Sequence, residues 1–445
     1  MKHFSTLCYA SLLTSMACAA SAAGRFDKQI AAEAARVDPQ VIEWRRAFHQ
    51  NPEKPNEEFA TARSVAAHLK SLGLDEVVTG VAGTGVVGIL KGGKPGPTVA
   101  LRADMDAVPG VKENNNLPFR SRKEDVAHLC GHDANTAMLM GVATVLARIR
   151  KELAGNVMFI FQPAEEGGIG TDGSPRIEEG ARQMLDEGIF SERFLAGKYK
   201  PSVVFGQHFL PRDAGEVSYV AGSRLYSSDS VKILVTEKQS TFNQDRGDGI
   251  GPYLGVAAMI DALGHFPTEP VANLPSPSFL AFISIHSLDD TGDPTLQRGA
   301  EIRARMGATT NEARAKGIAW LKDKVDSVAR ETATAVDMTV LPYAPPIIND
   351  PDLVKMMRPS MLDAVGKEHL KETPFFFPAA DDVALFQQQV PGIYIFLGGN
   401  KPGVKTGEAP LNHSPEFFVN EDVFITGVKV LSTLAADYLE IHKHK

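Results

Sequence analysis

The sequence predicts an α/β domain interrupted by an α+β insertion, and three observations carry that reading. Short runs rich in β-branched and aromatic residues alternate with amphipathic helical patterns. Several runs are apolar on both faces, as strands covered by helices on both sides must be. The texture changes near Ser223, where two strand-like runs, a long charged helix and more strand follow without any cluster of ligand-type residues. The α/β alternation then resumes after "APPIINDPD". With 445 residues and 43% hydrophobic content, the chain is long enough for two cores. The expected divisions are a leader over 1–23, a first α/β part over 24–222, the insertion over 223–342 and a second α/β part over 343–445.

The start, "MKHFSTLCYASLLTSMACAASAAG", has a basic end, a short apolar stretch broken by Ser and Thr, and small residues at Ala20-Ser21-Ala22. This is the pattern of a secretory signal peptide, so a soluble periplasmic or secreted protein is expected. Lipid attachment at Cys18 is disfavoured by Ser15, which stands where an apolar residue is expected. No later stretch offers the roughly 20 apolar residues of a membrane helix, so no stable membrane insertion is expected. Lys+Arg 46 against Asp+Glu 54, net −8, without a basic run, makes nucleic acid a poor partner.

In chain order, "QVIEWRRAFHQNPE" and "ATARSVAAHLKSLG" read as helices, the second closing at Gly73. The strand runs are "TGVVGIL", "PTVALRAD", "NVMFIFQP", "PSVVFGQHF" and, late in the chain, "GIYIFLGG". A helix is expected to open near Asn135 and run through "AMLMGVATVLARIRKEL". That puts "AHLCGHDANTAM" on a loop at a helix N-terminus, where free N–H groups favour a thiolate. The insertion reads as "SVKILVTE", "SFLAFISIH", a helix through "TNEARAKGIAWLKDKVDSVARETA" and "DMTVLPY", and a last helix starts near Asn420.

Ligands gather at strand ends in open α/β sheets, and chemically able residues stand there. Asp104 and Asp106 fall on one side of an extended segment, Glu165 and Glu166 come just past a strand, His208 likewise, and His413 precedes the last helix. Singly, each has a bland reading: such a His is usually structural, such a Glu pair a hydrated surface, and a buried Cys an inert small hydrophobe. Together, Cys130, His132, Glu166, His208 and His413 form a set of S, N and O donors, which points to a metal centre. Five ligands suit two ions better than one. Neighbours on an extended segment point opposite ways, so Glu166 is the expected ligand and Glu165 the general base facing substrate.

The motifs "RADMDAVP", "HLCGHDANTAMLMG", "FQPAEEGG", "GQHF" and "LNHSPEFF", in this order, resemble a family of co-catalytic metallo-amidohydrolases and carboxypeptidases. It includes hippurate hydrolase, N-acyl-amino-acid deacylases and plant indole-acetyl-amino-acid hydrolases, and the resemblance runs from about Ile42 to Leu439. It implies a zinc-peptidase-like catalytic domain carrying two divalent ions and an inserted lid domain that mediates homodimerisation. Cys130 would then bridge the ions as a thiolate, which explains a lone cysteine in a compartment where thiols usually pair. The resemblance makes Cys130, His132, Glu166, His208 and His413 the ligands, Glu165 the base and Asp106 the residue that orients a ligand. Thiolate and imidazole favour zinc, while mixed donor sets also take manganese, cobalt or nickel.

The insertion departs from the family. The lid histidine that stabilises the oxyanion is replaced near Thr241, leaving Asn243, Gln244 and, first in order of charge, Arg246 as candidate donors. "LDDTGDPTLQRG" replaces an asparagine-containing segment that helps bind the substrate carboxylate, Asn135 replaces a second histidine, and Asp381 stands where glutamate is usual. The expected activity is metal-dependent hydrolysis of the amide bond of an N-acyl amino acid or related small amide. The alternatives are an exopeptidase of the same family and a non-catalytic metal-binding dimer. A thiol hydrolase built on Cys130 and His132 would leave the two glutamates and the two distant histidines unexplained.

Overall fold

The computed structural model describes residues 24–168, 180–237, 251–267, 277–288, 298–373 and 379–444. The expected leader, with Cys8 and Cys18, and the lid turn at Thr241, Asn243, Gln244 and Arg246 lie outside the described residues.

After helix α1 (Asp27–Gln50) and α2 (Phe59–Ser71), the first part lays down β1 (Glu76–Val81), β2 (Gly85–Lys91) and β3 (Lys94–Asp104). Helix α3 (His132–Ile149), β4 (Ala154–Gln162), α4 (Gly180–Asp186), β5 (Val203–Leu210) and β6 (Val217–Tyr219) follow. The insertion holds β7 (Ser228–Thr236), α5 (Gly251–Gly264), β8 (Ser278–Ser287), β9 (Gly299–Ala308), α6 (Asn311–Glu331) and β10 (Ala335–Ala344). The chain then returns through α7 (Pro351–Val365), β11 (Leu370–Glu372), α8 (Val383–Gln387), β12 (Gly392–Gly398) and α9 (Phe424–Ile441).

The central sheet has the order β1-β2-β4-β3-β5-β12-β6-β11. Its middle, β4, β3, β5 and β12, is parallel, while β2 and β6 join antiparallel. Strand β5 is buried at every position, because helices cover both faces. On one face α1, α3 and α9 bury Val41, Leu139, Val142 and Leu431 against the sheet; on the other, Met184 and Phe386 of the short helices α4 and α8 pack with Ile160 and Tyr394. The expected architecture, a mixed sheet between helices with an inserted α+β unit, is the one observed.

The second sheet is antiparallel, in the order β8-β9-β7-β10, and ends at Ala344, just beyond the expected boundary at 342. Helices α5 and α6 bury Val256, Met259 and Leu321 on it, and the Thr310 hydroxyl caps α6 by accepting from the Ala313 N–H at 3.1 Å. Sequence reading missed α5 and β9. The former, "GPYLGVAAMIDALG", carries glycine and little polar face; in the latter, Arg303 and Arg305 alternate with Ile302, Ala304 and Met306, so its strand pattern is masked by charge. Among the described residues, no helix is long and apolar enough to cross a membrane.

Candidate metal centre

The site forms where β3, β4 and β5 end. Helix α3 begins at His132, not near Asn135, because Gly131 at φ 105 turns the chain sharply and its carbonyl accepts from the N–H groups of Ala134 and Asn135 at 3.1 and 3.0 Å. His132 is therefore held in the first helical turn. Its Nδ1 lies 2.9 Å from the Asp106 carbonyl, which can only accept, so Nδ1 carries a proton and Nε2 is the ring atom turned to the site. That Nε2 is buried without a hydrogen-bond partner, 3.8 Å from Asp104 Oδ2, 3.7 Å from Glu165 Oε2 and 3.9 Å from Glu166 Oε1.

His208 lies inside β5 rather than past its end, since the ladder with β12 continues to Leu210. Its Nδ1 is fixed by the Phe209 carbonyl at 2.9 Å, and its Nε2 is 3.5 Å from Cys130 Sγ. Cys130 is buried and unpaired with another cysteine. His413, at φ 69, comes from the loop after β12 and sets its Nε2 3.0 Å from Glu166 Oε1.

The two glutamates do not lie on an extended segment. Ala164 takes a left-handed φ of 52, and Glu166 opens a tight turn through Gly168, so a bend, not strand alternation, sends Glu165 and Glu166 apart. Asp106 Oδ2 accepts from the Glu166 N–H at 2.7 Å while its carbonyl holds His132, so one residue orients two donors. Tyr343 of β10 donates to the Glu165 carbonyl, and its hydroxyl is 3.4 Å from Glu165 Oε1.

Asp106, Cys130, His132, Glu165, Glu166, His208 and His413 come together here, while the expected oxyanion donors Asn243, Gln244 and Arg246 lie outside the described residues. Cys130, His132 and His208 place one candidate ligand atom each within 4.8 Å of one another, and Cys130, Glu166 and His413 do the same, so two donor groups share the thiol. The set suits a divalent ion on its chemistry, and the partnerless Nε2 of His132 is the direct sign of it. Burial and Glu166 push the Cys130 thiol up, but His132, His208 and His413 more than offset them and hold it at about 6. Burial also raises Glu166, yet His413 and His132 bring it down to about 2. Glu165 moves well up, through burial and the neighbouring Asp381 and Glu166.

Sequence reading missed the supports. Glu58, fully buried, accepts from the Ala164 N–H at 2.9 Å and the Asn56 N–H at 3.0 Å, and the Thr84 hydroxyl donates to it at 2.5 Å. It thus pins the bend that aims both glutamates. Glu58→Ala is expected to lower kcat about 10²-fold, the cost of roughly 1 Å of misplacement, with metal content unchanged. Glu58→Gln keeps an acceptor for the Ala164 N–H and should retain most activity; steady-state kinetics with elemental analysis check both.

Arg102 was also missed, because β3 reads as apolar on both faces. Its guanidinium, 0% exposed, meets Asp104 Oδ2 at 2.7 Å, Asp382 Oδ1 at 3.0 Å and Asp381 Oδ1 at 3.1 Å, and the Tyr394 hydroxyl donates to Asp381 at 2.5 Å. A charged residue in an apolar run was the available signal. The substituted Asp381 is therefore part of a buried ion network bordering the site. In front of the donors lies a cavity of about 400 Å³, lined by Glu165, Glu166 and His413 from the first sheet's loops and by Ser228, Arg305 and Tyr343 from the second sheet.

The model of the peptidase family M20/M25/M40 matches residues 100–437. Thermostable carboxypeptidase 2 of Saccharolobus solfataricus is 31% identical over 408 residues, covering 90% of this chain and 96% of that one. N-acetylcysteine deacetylase of Bacillus subtilis is 27% identical over 407 residues, covering 91% and 98%. IAA-amino acid hydrolase ILR1-like 2 of Arabidopsis thaliana is 29% identical over 411 residues, covering 90% and 87%. Among solved structures, the Bacillus subtilis YXEP protein, described as a dinuclear metal-binding peptidase, shares the fold with a TM-score of 0.72 and 24% identity, over 91% of this chain and 99% of that one.

Proposed function

The chain belongs to peptidase family M20/M25/M40, and on that premise we propose that it hydrolyses the amide bond of N-acyl amino acids or related small amides at a pair of divalent ions. The observation that carries the reading is the sharing of Cys130 between two donor groups, with the Glu165 carboxylate beside them. Zinc or manganese is the proposed metal, with cobalt and nickel next. Bound there, the ions would supply Lewis acidity and bring a water's pKa to about 7. With the ions bound, Glu165 would be the group placed to accept a proton from the attacking water at its carboxylate and return it to the leaving amine. Asp106 keeps His132 and Glu166 oriented, and Tyr343 holds Glu165 from the insertion.

Arg305, on β9, is exposed in the same cavity and has no ion pair or hydrogen bond among the described residues. We assign it to the substrate carboxylate. Relatives named for amino-acid conjugates and acylated cysteine support that class. A panel of N-acyl amino acids, their C-terminal amides and dipeptides, assayed with each metal, tests the reading. Arg305→Ala is expected to raise KM about tenfold for the free acids and leave the amides unaffected, about 1.4 kcal/mol. Dipeptides turned over faster than every acyl amino acid would favour the exopeptidase reading, and loss of no activity to chelators would end both.

For the quaternary state we propose a homodimer through β8, an edge strand whose Phe282, Ile283 and Ile285 are exposed side by side. A monomeric mass in sedimentation removes that proposal. Residues 1–23, read as a signal peptide, make a periplasmic or secreted location the proposed one.

A further inference from the structure

Where α1 begins, three successive residues are treated very differently from a loose chain end. Phe26 is 1% exposed in the core, and Arg25 Nη1 meets Glu440 Oε2 of α9 at 2.5 Å, so the chain is pinned twice before the helix starts. Gly24 stands immediately before, with φ 83 and its carbonyl accepting from the Asp27 N–H at 3.3 Å. A Cβ built there would lie 3.2 Å from Asp27 Oδ2 and 3.8 Å from Asp363 Oδ2.

Beside this glycine sits a carboxylate with no cation paired to it among the described residues. Asp437 of α9 is 0% exposed and makes no ion pair among the described residues, its donors being the Ser360 hydroxyl and the Gly24 amide; Asp27 Oδ1 is buried and unpartnered. Burial pushes Asp437 up to about 7, the nearby Asp27 and Asp363 add to it, and the Ser360 hydroxyl and the Gly24 amide hold it down only in part. Lys28 and Lys429 line the neighbouring cavity, and Lys429 acts on Asp27, but no cation is among the groups acting most strongly on Asp437. A buried carboxylate left this way is costly, so the arrangement asks for a positive group at the position of the Gly24 nitrogen.

We propose that removal of the leader at the Ala23–Gly24 bond completes this site, the new α-ammonium of Gly24 becoming the cation of Asp437, with Asp27 and Asp363 as further acceptors. The inference rests on reading residues 1–23 as a removable signal peptide. The step is hydrolysis by a leader-removing protease of the export route: water adds across the bond, the carboxylate departs on Ala23, and the amine on Gly24 takes up a proton. An α-amino group, with an ordinary pKa of about 7.7–8.0, is protonated at neutral pH. One amide donor is replaced by three charge-assisted ones. Processing thereby ties the start of α1 to α7 and α9, and the processed chain is more stable than its precursor.

The test is a cycle of two chain starts and two residues at 437. One chain begins at Gly24, released from a fusion by a protease cutting immediately before it; the other keeps Ala22-Ala23 ahead of it. Asp437→Asn is expected to lower the melting temperature of the Gly24 chain by roughly 3–6 °C and to move the extended chain by less than about 1 °C. Equal shifts in both chains, or none in the Gly24 chain, overturn the pairing. Should the variant fail to fold, selective acetylation of the Gly24 amine in the unsubstituted protein must reproduce the lowering, and an unchanged melting temperature overturns the pairing. N-terminal sequencing of the exported protein must find Gly24 first; another first residue, with the cycle intact, overturns the leader boundary and the maturation role rather than the pairing.

Discussion

Glu165→Gln is expected to lower kcat by about 10²–10⁴ while metal content, melting temperature and KM stay close to those of the unsubstituted enzyme. The amide keeps the shape of the side chain and an acceptor for the Tyr343 hydroxyl, but has no place for the proton of the attacking water. Glu165 Oε2 lies 3.7 Å from His132 Nε2, outside both thiol-sharing groups but within ligand distance of His132 and Glu166, so metal content is what separates a base from a ligand. Single-turnover kinetics with a metal-dependent substrate give the answer. Near-normal turnover would move the base to another group, and a loss of metal would show that Glu165 is a ligand instead.

Cys130→Ala is expected to remove both ions and, with them, essentially all activity. The thiol is the one atom common to the two donor groups, so its loss leaves two ligands on each side, His132 with His208 and Glu166 with His413. Two of the expected ligands on each side are too few for tight binding of either ion. Glu166→Ala is the graded control: the thiol and all three histidines remain, so it should cost one ion more readily than two. Elemental analysis after dialysis separates the cases, and retention of two ions by Cys130→Ala would remove the shared-thiol arrangement. Iodoacetamide would then be the next probe, since an unligated thiol held at about 6 is reactive.

How far these residues could be read without coordinates follows from where their neighbours lie in the chain. Cys130 and His132 share one motif, and Glu165 and Glu166 another, so residue type and local spacing were enough to nominate them. Asp106 was legible through the resemblance, although its two tasks, carbonyl to His132 and carboxylate to Glu166, are visible only in space. The bend at Ala164 was misread as extended chain, because nothing in "QPAEEGG" announces a left-handed alanine; the distant Glu58 stabilises it.

By itself, the sequence determined the sheet, since runs such as "NVMFIFQP" and "PSVVFGQHF" are apolar on both faces and have no stable place except between helices. It also determined the donor chemistry, because thiol, imidazole and carboxylate are properties of residue types. Only the tertiary structure decided which donors meet, that Cys130 is common to two groups, that Arg102 joins Asp104 to Asp381 and Asp382, and that Arg305 and Tyr343 enter the cavity from the second sheet. The physical reason is range: propensity and burial act between near neighbours in the chain, whereas a hydrogen bond or a ligand sphere needs atoms a few ångströms apart. For residues as distant as 58 and 164, or 130 and 413, that proximity exists only after the chain has closed its core.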